Sequence, residues 1–212
     1  MKKLKQQIDE LNEALASQLP SNIVEVFEQS IEDLKKQNIA ETSAQLGQKF
    51  PNFSLTNWKN KTIELDGLLK RGKVIVAFFR GSWCPYCNLE LQALQARLKE
   101  LDDRKVSLVG VSPQLSHYNQ ELMGNHNLEF ELLTDKDNKL AQMLGISFQL
   151  QEYAVSVYNS LGINLSMFNA NENNELPVPA VFVVDTDYSI VYKFVDSNYM
   201  NRLDIEELIE QL

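Results

Sequence analysis

KVIVAFFRGSWCPYCNLELQALQ, from Lys73 to Gln95, holds the only two cysteines of the chain, Cys84 and Cys87, three positions apart. Such a pair can serve as a metal clip, a structural staple, a redox couple or two inert buried thiols. The flanking residues help to choose. VIVAFF is a short apolar run rich in β-branched and aromatic residues, which reads as a buried strand. Pro85 to Glu100 carries Leu89, Leu91, Leu94 and Leu98 and reads as one amphipathic helix. The cysteines therefore fall in the first helical turn, where i and i+3 side chains share a face and the sulfurs can close a small ring. Unpaired N–H groups and the positive dipole end there stabilise a thiolate, and Pro85 suits the first turn. Trp83 supplies an aromatic wall. A zinc clip needs about four ligands, yet His117 and His126, the only histidines, have eight residues between them. A redox couple is the favoured reading, with no metal and no cofactor expected.

The rest of the composition sets limits. The chain has 212 residues, 44% hydrophobic and 23% charged, with a formal charge of −9. This suits one globular domain with an appendage. The acidic balance disfavours nucleic acid, which needs a basic surface. MKKLKQQIDELNEAL lacks an apolar signal-peptide core, and VIVAFF is far too short to span a bilayer. A cytoplasmic protein that does not engage membranes is the expectation.

Leu4, Ile8, Leu11 and Leu15 recur at helical spacing, as do Ile23, Val24, Phe27, Ile31 and Leu34, with Ser21 as the expected cap of the second helix. Residues 1–43 thus read as an N-terminal helical hairpin, and 44–212 as the main domain. The hairpin's apolar stripe is expected to clasp that domain or to meet a second copy in a homodimer. Strands are then expected within ETSAQLGQKFPNFSLTN and at TIEL, VSLVGVS, ELLTD, AVFVVD and IVYKFV. Helices are expected near Leu115–Met123, Leu140–Leu144 and after Leu203. FQLQEYAVSVYNSLG reads as a helical insertion, and NANENNELPVP as a polar loop. The alternation implies an α/β sheet with helices on both faces. DKDNK, at Asp135, begins like a calcium loop but lacks its glycine and closing Glu, so it reads as a turn into a helix. His117 reads as an exposed helix residue.

FFRGSWCPYCNLELQAL resembles the thioredoxin superfamily, and more closely a branch of the AhpC/TSA (alkyl hydroperoxide reductase/thiol-specific antioxidant) family that carries a thioredoxin-type WCPYC. GQKFPNFSL, LVGVSPQ, DKDNKLAQMLGI, ELPVPAVFVVD and FVDSNYMNR resemble that branch's other segments in the same order. The resemblance implies a thioredoxin-like fold. It places Cys87 at the peroxidatic position, Glu90 on the glutamate three residues later, and Cys84 at the usual Thr or Ser, which is also the first cysteine of thioredoxins. Pro179 falls where thioredoxin folds have a cis-proline facing the cysteines. Two groups depart from the pattern. Arg80-Gly81-Ser82-Trp83-Cys84-Pro85-Tyr86-Cys87 replaces both the Pro and the Thr of the family's Pro-x-x-x-Thr/Ser-x-x-Cys. The family's second arginine, which comes before a late strand and polarises the peroxide, is missing, since no Arg lies between Arg104 and Arg202. Arg80 is left as its substitute or as a surface cation.

The resemblance implies a thiol peroxidase that reduces hydrogen peroxide or organic hydroperoxides and is recycled by thioredoxin or a similar dithiol. A thiol–disulfide oxidoreductase without peroxide specificity is the alternative, and a redox-sensing interaction protein is a second. Cys84, nearer the helix tip, is expected to be the more exposed and more acidic sulfur, with Cys87 deeper.

Overall fold

The computed structural model describes residues 2–212. Two helices, α1 (Leu4–Gln18) and α2 (Ser21–Lys35), lead to a short α3 (Ile39–Thr42). Ser21 is the first residue of α2 rather than its cap: Pro20 holds that position and its carbonyl accepts from Ile23 and Val24. Then follow β1 (Ser54–Asn57), β2 (Thr62–Glu64), α4 (Leu65–Leu69), β3 (Val74–Phe78), α5 (Pro85–Gln95), α6 (Leu98–Asp103), β4 (Ser107–Ser112), α7 (Ser116–His126), β5 (Glu131–Thr134) and α8 (Lys139–Met143). The chain finishes with β6 (Ser147–Gln149), α9 (Glu152–Ser160), α10 (Leu165–Asn169), β7 (Glu175–Pro177), β8 (Ala180–Val184), β9 (Ile190–Val195) and α11 (Ile205–Glu210).

Seven strands form one mixed sheet in the order β2-β1-β5-β4-β3-β8-β9, with helices on both faces, as expected of a thioredoxin-like fold. β3 runs parallel to β4 and antiparallel to β8, so VIVAFF lies at the centre. Its run is unbroken because both faces are covered. Val74, Val76 and Phe78 pack with Phe182, Val109 and Leu140 on one side; Ile75, Ala77 and Phe79 pack with Leu91, Leu94 and both cysteines on the other. Gly110 on β4 leaves room for that second layer. A Cβ there would stand 3.3 Å from Phe79 Cε1 and closer still to Leu132 Cδ2.

Two expectations about element bounds are corrected. The helix after the cysteines is not continuous to Glu100. Arg97 departs from helical geometry (φ −105°, ψ 0°), and α6 restarts at Leu98 in a direction that buries Leu101. The segment read as a polar loop contains β7, which pairs with β6 as a separate two-stranded ribbon and buries Leu176. Three-residue strands carry too little alternation to be seen in a sequence.

The hairpin lies on the same chain. Leu4 and Ile8 join the cluster that contains Cys84 and Cys87, and Leu34 joins Tyr158 and Leu165. Polar contacts reinforce it: the Tyr86 hydroxyl donates to Asn12 Oδ1 at 2.6 Å, and Ser30 donates to Gln151 Oε1 at 2.7 Å. Ile8→Ala removes a side chain that is 7% exposed, so it should destabilise the protein by about 2–4 kcal/mol in urea unfolding. Leu46→Ala, at a residue 62% exposed, should change stability by less than about 0.5 kcal/mol. Equal midpoints for the two variants would mean that α1 is not packed.

Candidate active site around Cys84 and Cys87

β3 carries the chain to the carboxyl edge of the parallel strands, the edge at which α/β sheets build their sites. The ladder extends one residue further, with Phe79 N–H donating to the Val111 carbonyl at 2.9 Å. The chain then turns through Arg80–Trp83. Gln114, fully buried after β4, accepts from Ser82 N–H at 2.8 Å and fixes this turn, while Asn88 donates to the Ser82 carbonyl at 2.9 Å. Gly81 lies against the Trp83 indole, and a Cβ there would collide with Nε1.

Cys84 is the N-cap of α5 and Pro85 its first residue. The Cys84 sulfur accepts from Cys87 N–H at 3.4 Å and from the Cys87 thiol at 2.7 Å. Both cysteines are free, and both have 0% exposure. Cys84 is therefore not the exposed member of the pair: Arg80, Trp83 and the helix start close over it.

Two guanidinium groups converge on the sulfurs. Arg80 Nη2 stands 3.7 Å from Cys84, and its Nη1 donates to the Tyr158 hydroxyl at 2.8 Å. Its guanidinium carbon lies 3.8 Å from the Tyr199 ring centroid and 4.9 Å from that of Trp83. Arg80 is 4% exposed, so it is not a surface cation. The second group is Arg202, from the segment after β9. Its Nη2 lies 3.3 Å from Cys87 and 4.0 Å from Cys84; its Nη1 pairs with Glu90 at 2.7 Å, and its Nε donates to the Tyr199 carbonyl. A second arginine thus stands at the sulfurs, and it comes from beyond the last strand rather than from before it.

Burial alone would raise the Cys84 thiol. The Cys87 hydrogen bonds and the charges of Arg80 and Arg202 outweigh it and hold Cys84 well below the ordinary thiol range. Burial, donation to Cys84 and the neighbouring negative charge push Cys87 well above it. Burial also raises the Glu90 carboxyl, against the pull of Arg202.

The structure thus brings Arg80, Trp83, Cys84, Cys87 and Glu90 together and adds Arg202, Tyr158 and Tyr199. Tyr199 and Arg202 lie in FVDSNYMNR, a segment already notable in the sequence; Tyr158 carried no comparable signal. Pro179 is buried one residue before Ala180, the partner of Phe78 in the sheet. The cis bond expected there is corrected, because no peptide bond among the described residues is cis. The trans form is the ordinary one for a bond before proline in a folded protein. Asp135 accepts from Leu140 and Ala141 N–H and so makes the DKDNK segment a turn into α8. Among the described residues, no group of three or more His, Cys, Asp or Glu is arranged to hold a metal ion.

Comparisons with known proteins place the chain among redox proteins of related sequence and fold. A putative peroxiredoxin bcp of Helicobacter pylori is 33% identical over 99 residues, 47% of this chain; the match spans 64% of that relative's length. The thiol-disulfide oxidoreductase ResA of Bacillus cereus is 22% identical over 161 residues, 76% of this chain and 75% of its own. In fold, the peroxidoxin BcpB of Mycobacterium tuberculosis superposes with a TM-score of 0.62 at 18% identity, over 79% of this chain and 95% of that one. The family model described as AhpC/TSA matches residues 46–193. That segment runs from just before β1 into β9 and holds all of the sheet except its last residues, so the protein belongs to the AhpC/TSA family.

Proposed function

We propose that this protein is a thiol-dependent peroxidase working through a Cys84–Cys87 dithiol/disulfide couple. The observation that carries the reading is the convergence of Arg80 and Arg202 on two buried sulfurs. A lone thiolate does not need two guanidiniums, but a thiolate attacking an O–O bond gains from them as charge moves to the leaving oxygen. In the proposed cycle the Cys84 thiolate attacks the terminal oxygen of the hydroperoxide and the O–O bond breaks. The alkoxide takes a proton and leaves as the alcohol. The Cys84 sulfenic acid then condenses with the Cys87 thiol, releasing water and forming the disulfide. A thioredoxin-type dithiol reduces that bond by exchange and is itself oxidised. The resemblance implies the peroxidatic position for Cys87, but the charge balance supports Cys84 as first attacker.

A second reading has its own support. An acidic N-cap cysteine backed by a less acidic partner also suits exchange with disulfides, and the ResA match spans more of this chain than the bcp match. Steady-state turnover with hydrogen peroxide, cumene hydroperoxide and a protein disulfide separates the two. Rapid disulfide reduction with peroxide rates no better than those of a free small thiol would favour the exchange enzyme.

Stopped-flow oxidation assigns the sulfurs. Cys87→Ser should still form sulfenic acid rapidly at Cys84, Cys84→Ser should lose at least about tenfold in that step, and both should lose turnover with a dithiol. The reverse order would transfer the attack to Cys87.

The acidity of Cys84 also fixes a pH profile. Arg80 and Arg202 hold Cys84 below the ordinary thiol range, so alkylation of Cys87→Ser should reach its plateau at a lower pH than that of a free small thiol. An ordinary thiol would climb about tenfold per unit below pH 8. Arg202→Lys keeps one charge but cannot meet Glu90, the Tyr199 carbonyl and Cys87 together. It should move the profile toward the ordinary thiol and slow peroxide oxidation about tenfold; an unchanged profile would remove Arg202 from the charge balance.

A further inference from the structure

A cavity of about 630 Å³ lies between the hairpin and the turn that carries Cys84. One wall is the hairpin, with Leu15, Leu19, Val24, Phe27 and Ile31; the other is Arg80, Trp83, Tyr86, Tyr158 and Tyr199. Its size falls within the roughly 300–1,000 Å³ of sites that hold drug-sized molecules, and its lining is largely apolar as theirs is. Hydrogen peroxide needs no such space.

Two features make it more than an apolar cleft. First, Arg80 Nε and Trp83 Nε1 are buried donors without a hydrogen-bond partner, and both residues line the cavity. Buried donors are nearly always paired, so these suit a ligand that brings an acceptor oxygen to the sulfur end. Second, the charged residues of the lining on the hairpin side are Glu28, Glu32 and Lys35, all exposed, with Lys35 already paired to Glu32 at 2.7 Å. With Arg80 the lining carries two negative and two positive charges, and Arg80 already faces the Cys84 sulfur, so the site calls for an uncharged ligand rather than an anion. The wall that makes the cavity, α1 and α2, lies outside the residues 46–193 that match the family.

We propose that the N-terminal hairpin is a specificity element: with the Arg80–Trp83 turn it forms the binding site for the body of a bulky, uncharged organic hydroperoxide. This rests on the peroxidase reading and deepens it. The apolar body lies among Leu15, Val24 and Phe27, and the hydroperoxide oxygens meet the wall of Arg80 and Trp83 that covers the buried Cys84. The hairpin therefore selects such substrates over hydrogen peroxide and over hydroperoxides that carry a carboxylate.

The test separates binding from turnover. Calorimetry on the reduced full-length protein uses 2-phenyl-2-propanol, the alcohol left by cumene hydroperoxide, and phenylacetate as an anion of similar size. Saturable binding of the alcohol is expected, with phenylacetate at least tenfold weaker. Ala16→Phe fills the cavity from an exposed position of α1, and Val24→Ser makes its wall polar without adding bulk. Both should weaken alcohol binding and lower the ratio of kcat/KM for cumene hydroperoxide to that for hydrogen peroxide, Ala16→Phe about tenfold. No alcohol binding, or an unchanged ratio in both variants, with both peroxides still turned over, overturns the proposal and leaves the peroxidase reading standing. An equal fall for both peroxides also overturns it. Alcohol binding without turnover of either peroxide overturns both.

Discussion

A thiol with no exposure to water ionises only beside positive charge, and this requirement orders the site around Cys84. Taking an anion into a protein interior costs several kcal/mol unless it is paired. Here the pairing is collective. Arg80 and Arg202 bring two positive charges, Glu90 and the Cys84 sulfur two negative ones, and the cluster closes near neutrality. Glu90 is what keeps Arg202 from being a second unpaired buried charge. Each member comes from a different place: Arg80 from the exit of β3, Glu90 from the second turn of α5, and Arg202 from the segment between β9 and α11. The central sheet is the frame that makes these origins meet.

The aromatic residues complete the arrangement. Tyr199 lies under the Arg80 guanidinium at 3.8 Å, and Tyr158 accepts its hydrogen bond, so that cation is held on two sides without a carboxylate of its own. A carboxylate there would compete with the sulfur for the same charge. Tyr158 belongs to α9 and packs edge-on against Phe27 of the hairpin at 5.7 Å. Tyr158 thus links the hairpin to the charged cluster, beside the contacts that Leu4, Ile8 and Asn12 make around the cysteines and Tyr86.

The sequence made the core of this site legible because its information is local. The CxxC pair, the strand before it and the helix after it lie within 23 residues, and period and capping rules operate at that range. Glu90, one helical turn beyond Cys87, was reachable in the same way. Arg202 was legible only as part of a notable segment: it sits 115 residues from Cys87, and the path of β8 and β9 through the sheet is what brings it back to the sulfurs. Tyr158 lies in a segment whose helical pattern was clear but whose docking face was not. Arg97 shows the limit inside one element, since the leucine spacing runs on through the point where the helix breaks. Pro179 shows a different limit: proline announces a restricted φ, but not the isomer of the bond before it.

The same charge balance bears on which redox state the protein favours. Closing the Cys84–Cys87 bond consumes the thiolate, so the buried cluster loses one negative charge while Arg80 and Arg202 keep theirs. The oxidised site then carries an excess of positive charge in a low-dielectric setting, where it is costly. Every interaction that makes Cys84 acidic therefore stabilises the dithiol relative to the disulfide and makes the disulfide easier to reduce. This asymmetry would suit the proposed peroxidase cycle, in which irreversible O–O cleavage would drive oxidation and the unbalanced positive charge would ease reduction of the disulfide by a dithiol.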